Sequence, residues 1–217
     1  MKTKILTVIY LLTGIIYTAL DSHLSFLPGL VLKGLIIPVL IIIYLLNARK
    51  NFNIFILAAL IFSWAGDLYL DFSFIPGLAC FLIAHVMYAT AFFKTSGNCM
   101  FIRKRIYILL PVILYGAGLV FLLYDNLDGM RLPVIIYASV ILTMLVAAIN
   151  RCGKVNRFSF ILVLAGALLF VISDSLIAVG KFGYPFRFSG VAVMTTYIAA
   201  QFLIVTGVLK QSEEEFV

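Results

Sequence analysis

The run NIFILAALIFSWAGDLYL, residues 53–70, decides the fold class. Its length is close to the ~20 apolar residues that a helix needs to cross a hydrocarbon core. Yet it carries Trp64, Gly66 and Asp67 where a bilayer favours Leu and Val. A second run, FVISDSLIA at residues 170–178, repeats the oddity with Asp174. A carboxylate inside such a run needs a reason, because a charge near the bilayer centre costs about 2.5–3.5 kcal/mol on insertion scales.

The rest of the chain reads the same way. Of 217 residues, 64% are hydrophobic and 12% charged, and mean hydropathy is +1.17. Long apolar runs separated by short charged loops imply an all-α, polytopic integral membrane protein. Each helix satisfies its own backbone polar groups, which is what lets it sit in lipid. Eight transmembrane helices are expected, at about 5–20, 30–46, 53–70, 76–93, 105–124, 131–150, 158–179 and 188–209. The loops leave no room for a separate soluble domain, so residues 1–217 read as a single transmembrane domain. Pro28, Pro76, Pro133 and Pro185 fall at or near span starts, where proline is tolerated. Pro38 and Pro111 fall inside or near the start of spans and are expected to kink them.

Charge sets orientation. Twelve of the sixteen basic residues (Lys2, Lys4, Arg49, Lys50, Lys94, Arg103, Lys104, Arg105, Arg151, Lys154, Arg157 and Lys210) fall on one side of the expected spans. Arg131, Lys181 and Arg187 fall on the other, and Lys33 is within a span. The positive-inside rule then places both termini in the cytoplasm, and the membrane itself is expected to be a bacterial inner membrane. The net charge of +7 is thus a topology signal, and no basic stripe interleaved with exposed aromatics suggests nucleic acid. The first segment has the basic end and apolar stretch of a signal peptide. It is expected to remain as span one, because no small-x-small cleavage site follows it. Cys80, Cys99 and Cys152 form no CxxC, and no Cys and His are spaced for a metal, so neither metal nor cofactor is expected.

Few ionisable residues lie within the spans. Glu213, Glu214 and Glu215 are in the tail, and Asp21, Asp71, Asp125 and Asp128 read as loop-edge residues. That leaves Asp67, Asp174, His85 in span four and Lys33 in span two. In the expected topology Asp67, Asp174 and Lys33 share the outer leaflet, with His85 ~13 Å into its span at ~1.5 Å per residue. Together they are expected to line one cavity. AALIFSWAGD and AGALLFVISD also align with their aspartates in register, which suggests a four-plus-four parallel internal repeat. Plainer readings stay open for each residue. Asp67 could cap a span, His85 could be a packing histidine, and Lys33 could snorkel to the interface. Ser173 and Ser175 could knot helices together with Asp174, and Gln201 could hydrogen-bond a neighbouring helix. Tyr69, Tyr88 and Tyr197 could be interface or packing aromatics.

The stretch from residue 63 to 93 carries Gly66-Asp67, Gly77, Phe81, His85, Tyr88 and Phe92. GALLFVISDS carries Gly166, Ala167, Phe170, Ser173, Asp174 and Ser175, and the last span carries Tyr197 and Gln201. This pattern resembles the lysoplasmalogenase family, the bacterial YhhN-type proteins and their animal relatives. The resemblance covers nearly the whole chain through span count and motif order. The chain departs from it at Lys33-Gly34-Leu35, where the family has Lys-Pro-Leu. What the resemblance implies is hydrolysis of the vinyl ether bond of a lysoplasmalogen, a lysophospholipid held in the bilayer. The products would be a fatty aldehyde and glycerophosphoethanolamine or glycerophosphocholine.

The residue types suit that chemistry. Protonating the β-carbon of a vinyl ether gives an oxocarbenium ion, which water captures as a hemiacetal that collapses to aldehyde and alcohol. Two carboxyls in different environments handle a similar cation in glycosidases. Asp174 is expected as general acid, Asp67 as its ionised partner and His85 as the residue that orients water. Lys33 is expected to attract the lipid phosphate, with Tyr88, Ser173, Ser175, Tyr197 and Gln201 in the binding site. Two other classes remain open. Gly66-Asp67 is half of an intramembrane aspartyl protease signature, but no Pro-Ala-Leu occurs. A small proton-coupled transporter could use the same two aspartates as proton carriers.

Overall fold

A computed structural model describes residues 2–20, 25–48, 51–97, 101–184 and 186–211. Asp21, Arg49, Lys50, Cys99, Pro185 and Glu213 to Glu215 lie outside the described residues, as do the side chains of Lys2, Arg103 and Lys104. Among the described residues the regular structure is entirely helical. Nine α-helices follow in order: α1 Lys2–Leu20, α2 Phe26–Asn47, α3 Ile54–Phe72, α4 Phe74–Ser96, α5 Phe101–Lys104, α6 Leu109–Leu123, α7 Arg131–Ile149, α8 Arg157–Phe182 and α9 Ser189–Leu209. Eight segments, built on all of these but α5, are long and apolar enough to cross a membrane. They coincide with the eight expected spans, and the chain is a polytopic integral membrane protein. Its large exposed side chains, such as Leu27, Phe121 and Ile106, are those expected to meet lipid rather than water.

Local sequence sets where the helices begin and end. Pro28, Pro76, Pro111 and Pro133 are each the third residue of their helix. The N–H groups of a first turn have no intrahelical acceptor, so proline there forfeits nothing. The Asn53 side chain caps α3 by accepting from the Phe55 N–H at 2.9 Å. Gly97 and Gly153 follow α4 and α7 with φ of +60° and +69°, a conformation that a Cβ disfavours. Span five opens as a 3-10 turn at Ile106–Ile108 before α6.

The chain divides into two compact units, Met1–Tyr88 and Ala89–Val217. The division falls inside α4, so the units do not coincide with two four-span halves. The four-plus-four repeat therefore remains an expectation from the sequence.

In the first unit α2 packs on both α1 and α3. Pro38 sits within α2 and cannot donate to the carbonyl four residues back, that of Gly34. The Trp64 indole of α3 makes good the loss, donating to the Gly34 oxygen at 2.8 Å. A backbone acceptor that a proline orphans is thus satisfied from the next helix.

In the second unit the closest pairing is α8 against α9, in antiparallel register. Ser159 Oγ donates to the Gly207 carbonyl at 2.6 Å at one end, and Ser173 Oγ to the Val193 carbonyl at 3.0 Å at the other. Between them a Cβ on Gly166 would come within 2.8 Å of the Ala200 carbonyl, and one on Gly207 within 2.7 Å of Val163. Further along, Phe170 meets Tyr197 edge-on with centroids 5.5 Å apart. Small residues let these backbones approach, and serine hydroxyls cross the seam. α6 is held less firmly, burying only Gly116 and Leu123.

Candidate active site

The first unit gathers its polar groups around the C-terminal half of α3. Ser63, Gly66 and Asp67 fall on the buried face of that helix, and Asp67 is 3% exposed. Tyr10 of α1 and Tyr88 of α4, both fully buried, complete an electrostatic cluster with Asp67. Phe81, His85 and Tyr88 follow one face of α4 at turn spacing, and His85 is fully buried. A Cβ on Gly66 would lie 2.8 Å from the Phe81 ring, so the glycine is what lets that ring approach α3.

Lys33 does not snorkel. It is 5% exposed, and its Nζ forms an ion pair with Asp71 Oδ1 at 2.7 Å. Asp71 is at the loop edge as expected, in the last turn of α3 and one turn beyond Asp67. Sequence reasoning assigned Asp71 to the interface and passed over Tyr10. The signal for Asp71 was its i, i+4 spacing from Asp67, which puts both on one helix face.

The second unit holds Asp174. Its Oδ2 accepts a hydrogen bond from the Tyr137 hydroxyl of α7 at 2.5 Å. Beside it, Ser175 Oγ donates to the Val171 carbonyl and accepts from the Tyr115 hydroxyl of α6, both at 2.7 Å. These four residues line a crevice of about 470 Å³ between α6, α7 and α8. Leu119, Val134, Ile141 and Val171 supply part of its apolar wall. Unlike Asp67, Asp174 is only half-buried. The arrangement is a carboxyl at the polar end of an apolar slot, with a phenol bonded to it. That geometry suits proton transfer to an apolar substrate from which bulk water is kept away.

The other expected binding residues separate into two groups. Ser175 and Asp174 line the crevice. Ser173, although adjacent, turns to α9 and bonds the Val193 carbonyl. Tyr197 and Gln201 are buried on α9, with Tyr197 against Phe170. Tyr115 and Tyr137 were not anticipated, because a tyrosine within an apolar span reads equally well as an interface aromatic. Among the described residues no cluster of His, Cys, Asp and Glu could hold a metal ion.

Residues 29–208 match the YhhN family. The chain belongs to the YhhN family. Three similar relatives are each named lysoplasmalogenase. Lysoplasmalogenase TMEM86A of Bos taurus is 34% identical over 178 residues, covering 78% of this chain and 70% of that protein. Lysoplasmalogenase TMEM86B of Homo sapiens is 30% identical over 187 residues, covering 85% and 73%. The lysoplasmalogenase of Mycobacterium bovis is 28% identical over 156 residues, covering 69% and 58%. No solved structure matches the chain.

Proposed function

We propose that this YhhN-family protein is a membrane-embedded hydrolase that cleaves the vinyl ether bond of lysoplasmalogens. The names of its relatives support the substrate class, and one observation supports the chemistry. That observation is Asp174, a half-buried carboxyl bonded to Tyr137 at the end of an apolar crevice.

The Asp174 carboxyl, in its protonated form, gives its proton to the β-carbon of the vinyl ether. The alkene electron pair forms the new C–H bond, and positive charge passes to the ether carbon and oxygen. Water adds to that cation and loses a proton to carboxylate, which regenerates the acid. The hemiacetal then breaks its C–O bond to the glycerol oxygen, which takes up a proton. The products are a fatty aldehyde and the glycerophosphodiester. Two carboxyls with separate environments are the usual means of handling such a cation. Asp67 is the second carboxylate required for turnover, with His85, Tyr88 and Tyr10 around it. Lys33 is engaged by Asp71 in a pair of zero net charge, so we assign it to holding α2 on α3 rather than to the lipid phosphate. Ser173, Tyr197 and Gln201 fix α8 against α9 and thereby position Asp174. The relatives are named as hydrolases, which weighs against the transport reading.

The test is aldehyde release from a lysoplasmalogen by purified protein in detergent or lipid. The matching saturated ether lysolipid serves as control. Aldehyde from the vinyl ether alone is expected. No aldehyde from any headgroup, with a substrate shown to be accessible, would move the activity to another lipid.

A further inference from the structure

Two apolar spaces of the second unit share a wall. The inner crevice ends at Asp174, and an outer groove of about 1340 Å³ runs between α6 and α7. Gly116, Val120, Ala138 and Leu142 line both. At this helix crossing α6 carries no Cβ on Gly116, where one would collide with the Leu142 side chain. At this crossing the flexible Leu142 side chain therefore lies directly over a bare stretch of α6 backbone.

The outer groove is chemically uniform. Its two hydroxyl residues on α7, Ser139 and Thr143, both donate back to their own helix, to the Ile135 and Ser139 carbonyls. The groove's remaining hydroxyl residue, Tyr124, lies at its far end, whereas Asp174, Tyr137, Tyr115 and Ser175 cluster at the inner end. The groove extends along α6 from Leu109 to Tyr124, about 22 Å at ~1.5 Å per residue. That is roughly the reach of one extended fatty chain.

Resting on the hydrolase reading above, we propose that the α6–α7 crossing is a lateral portal from the bilayer. The aliphatic chain of a single-chain lysolipid lies in the outer groove, and its ether end passes Leu142 to reach Asp174. The weak burial of α6 gives the crossing room to part. Entry from the side means that the scissile bond never passes through water, which a carbon-protonation step would otherwise meet as a competing base. One chain fills the groove between two helices, so a diacyl lipid has no place for its second chain.

Two measurements in phosphatidylcholine vesicles test the portal. The first compares kcat/KM for long-chain and short-chain lysoplasmalogens in wild type and Thr143→Phe. Thr143 is exposed in the outer groove, and the ratio does not depend on how much variant folds. The long-to-short ratio is expected to fall by about tenfold, the scale on which one methylene discriminates in an apolar site. An unchanged ratio overturns the portal while leaving the hydrolase reading intact. The second uses a saturated ether lysolipid with a diazirine at its chain end. Label is expected on residues 109–124 and 135–146, competed by untagged lysolipid and lost in Thr143→Phe. Label spread over α1 and α2 without competition overturns the portal. If wild type releases no aldehyde, the hydrolase reading falls and the labelling alone decides the portal.

Discussion

The two intramembrane aspartates solve the same problem differently. Asp67 is sealed into the first unit among buried tyrosines, and the neighbouring Asp71 is neutralised by Lys33. Asp174 is left half-buried at the end of a crevice, with one phenol bonded to it. A buried charge is tolerated when its surroundings are polar and paired, and such a site holds a structure in place. A carboxyl that faces an open slot has given up some of that protection and gains access to a substrate. On the proposed reading, Asp174 is therefore the carboxyl that meets the lipid directly.

Four experiments can break or sharpen this contrast. The largest expected effect is on turnover. Asp174→Asn should lower kcat by roughly 10³-fold, the middle of the range for general acid–base catalysis, while the melting temperature stays near wild type. Asp67→Asn should also abolish turnover. Normal rates in either variant would remove that residue from the mechanism. Chemical access should then separate the two carboxyls. An apolar carbodiimide is expected to modify Asp174 and spare Asp67, as read by peptide mass, with protection by a saturated ether lysolipid. Equal labelling would contradict the sealed site.

Stability is the next readout. Lys33→Met leaves Asp71 without its cation, and the pair is mostly buried on the lysine side. Loss of about 1–3 kcal/mol is expected, discounted from a fully buried pair because Asp71 is partly exposed. Lys33→Met with Asp71→Leu should regain most of it in thermal unfolding. The corresponding change in the second unit, Tyr137→Phe, should instead lower kcat by about tenfold, one charge-assisted hydrogen bond, with little change in melting. A Tyr137→Phe variant that loses stability but keeps its rate would reverse the assignment.

The smallest effect comes from Arg151, in the loop after α7. Its guanidinium is fully buried and bonds Ser159 and Gln211 at 3.0 Å each through Nη2. Burial pushes its pKa down to about 10, well below its ordinary value. Between those two values the unfolded chain holds a proton that the folded chain has shed, so stability rises with pH there. The cost of burying the charged guanidinium should therefore be full and flat between pH 7 and 9 and should be relieved above about pH 10, raising the melting temperature there. Arg151→Met should flatten that rise.

Much of this could be read from the chain. Hydropathy located all eight spans because an apolar segment in lipid has only the helix open to it. Asp67, Asp174 and His85 stood out because charge within such a segment is rare. What remained hidden were relations between helices. The Lys33–Asp71 pair joins residues 38 apart, and no local pattern announces it. The bond from Trp64 to the carbonyl that Pro38 orphans was equally silent, although both residues were conspicuous. Tyr115 and Tyr137 were missed because a tyrosine in a span carries the same apolar signal whether its hydroxyl meets lipid headgroups or a carboxyl. Ser173 and Ser175 are two residues apart on a helix and so point different ways, which the motif alone does not convey.

The most direct measurement of the central claim is hydrolysis of a lysoplasmalogen in D₂O, with the aldehyde reduced at once to the alcohol and its label located. Carbon protonation by a solvent-exchanged Asp174 carboxyl predicts one deuterium on the carbon next to the former aldehyde. Asp174→Asn should give no product to label. Aldehyde that carries no deuterium at that carbon, or full turnover by folded Asp174→Asn, would contradict the account.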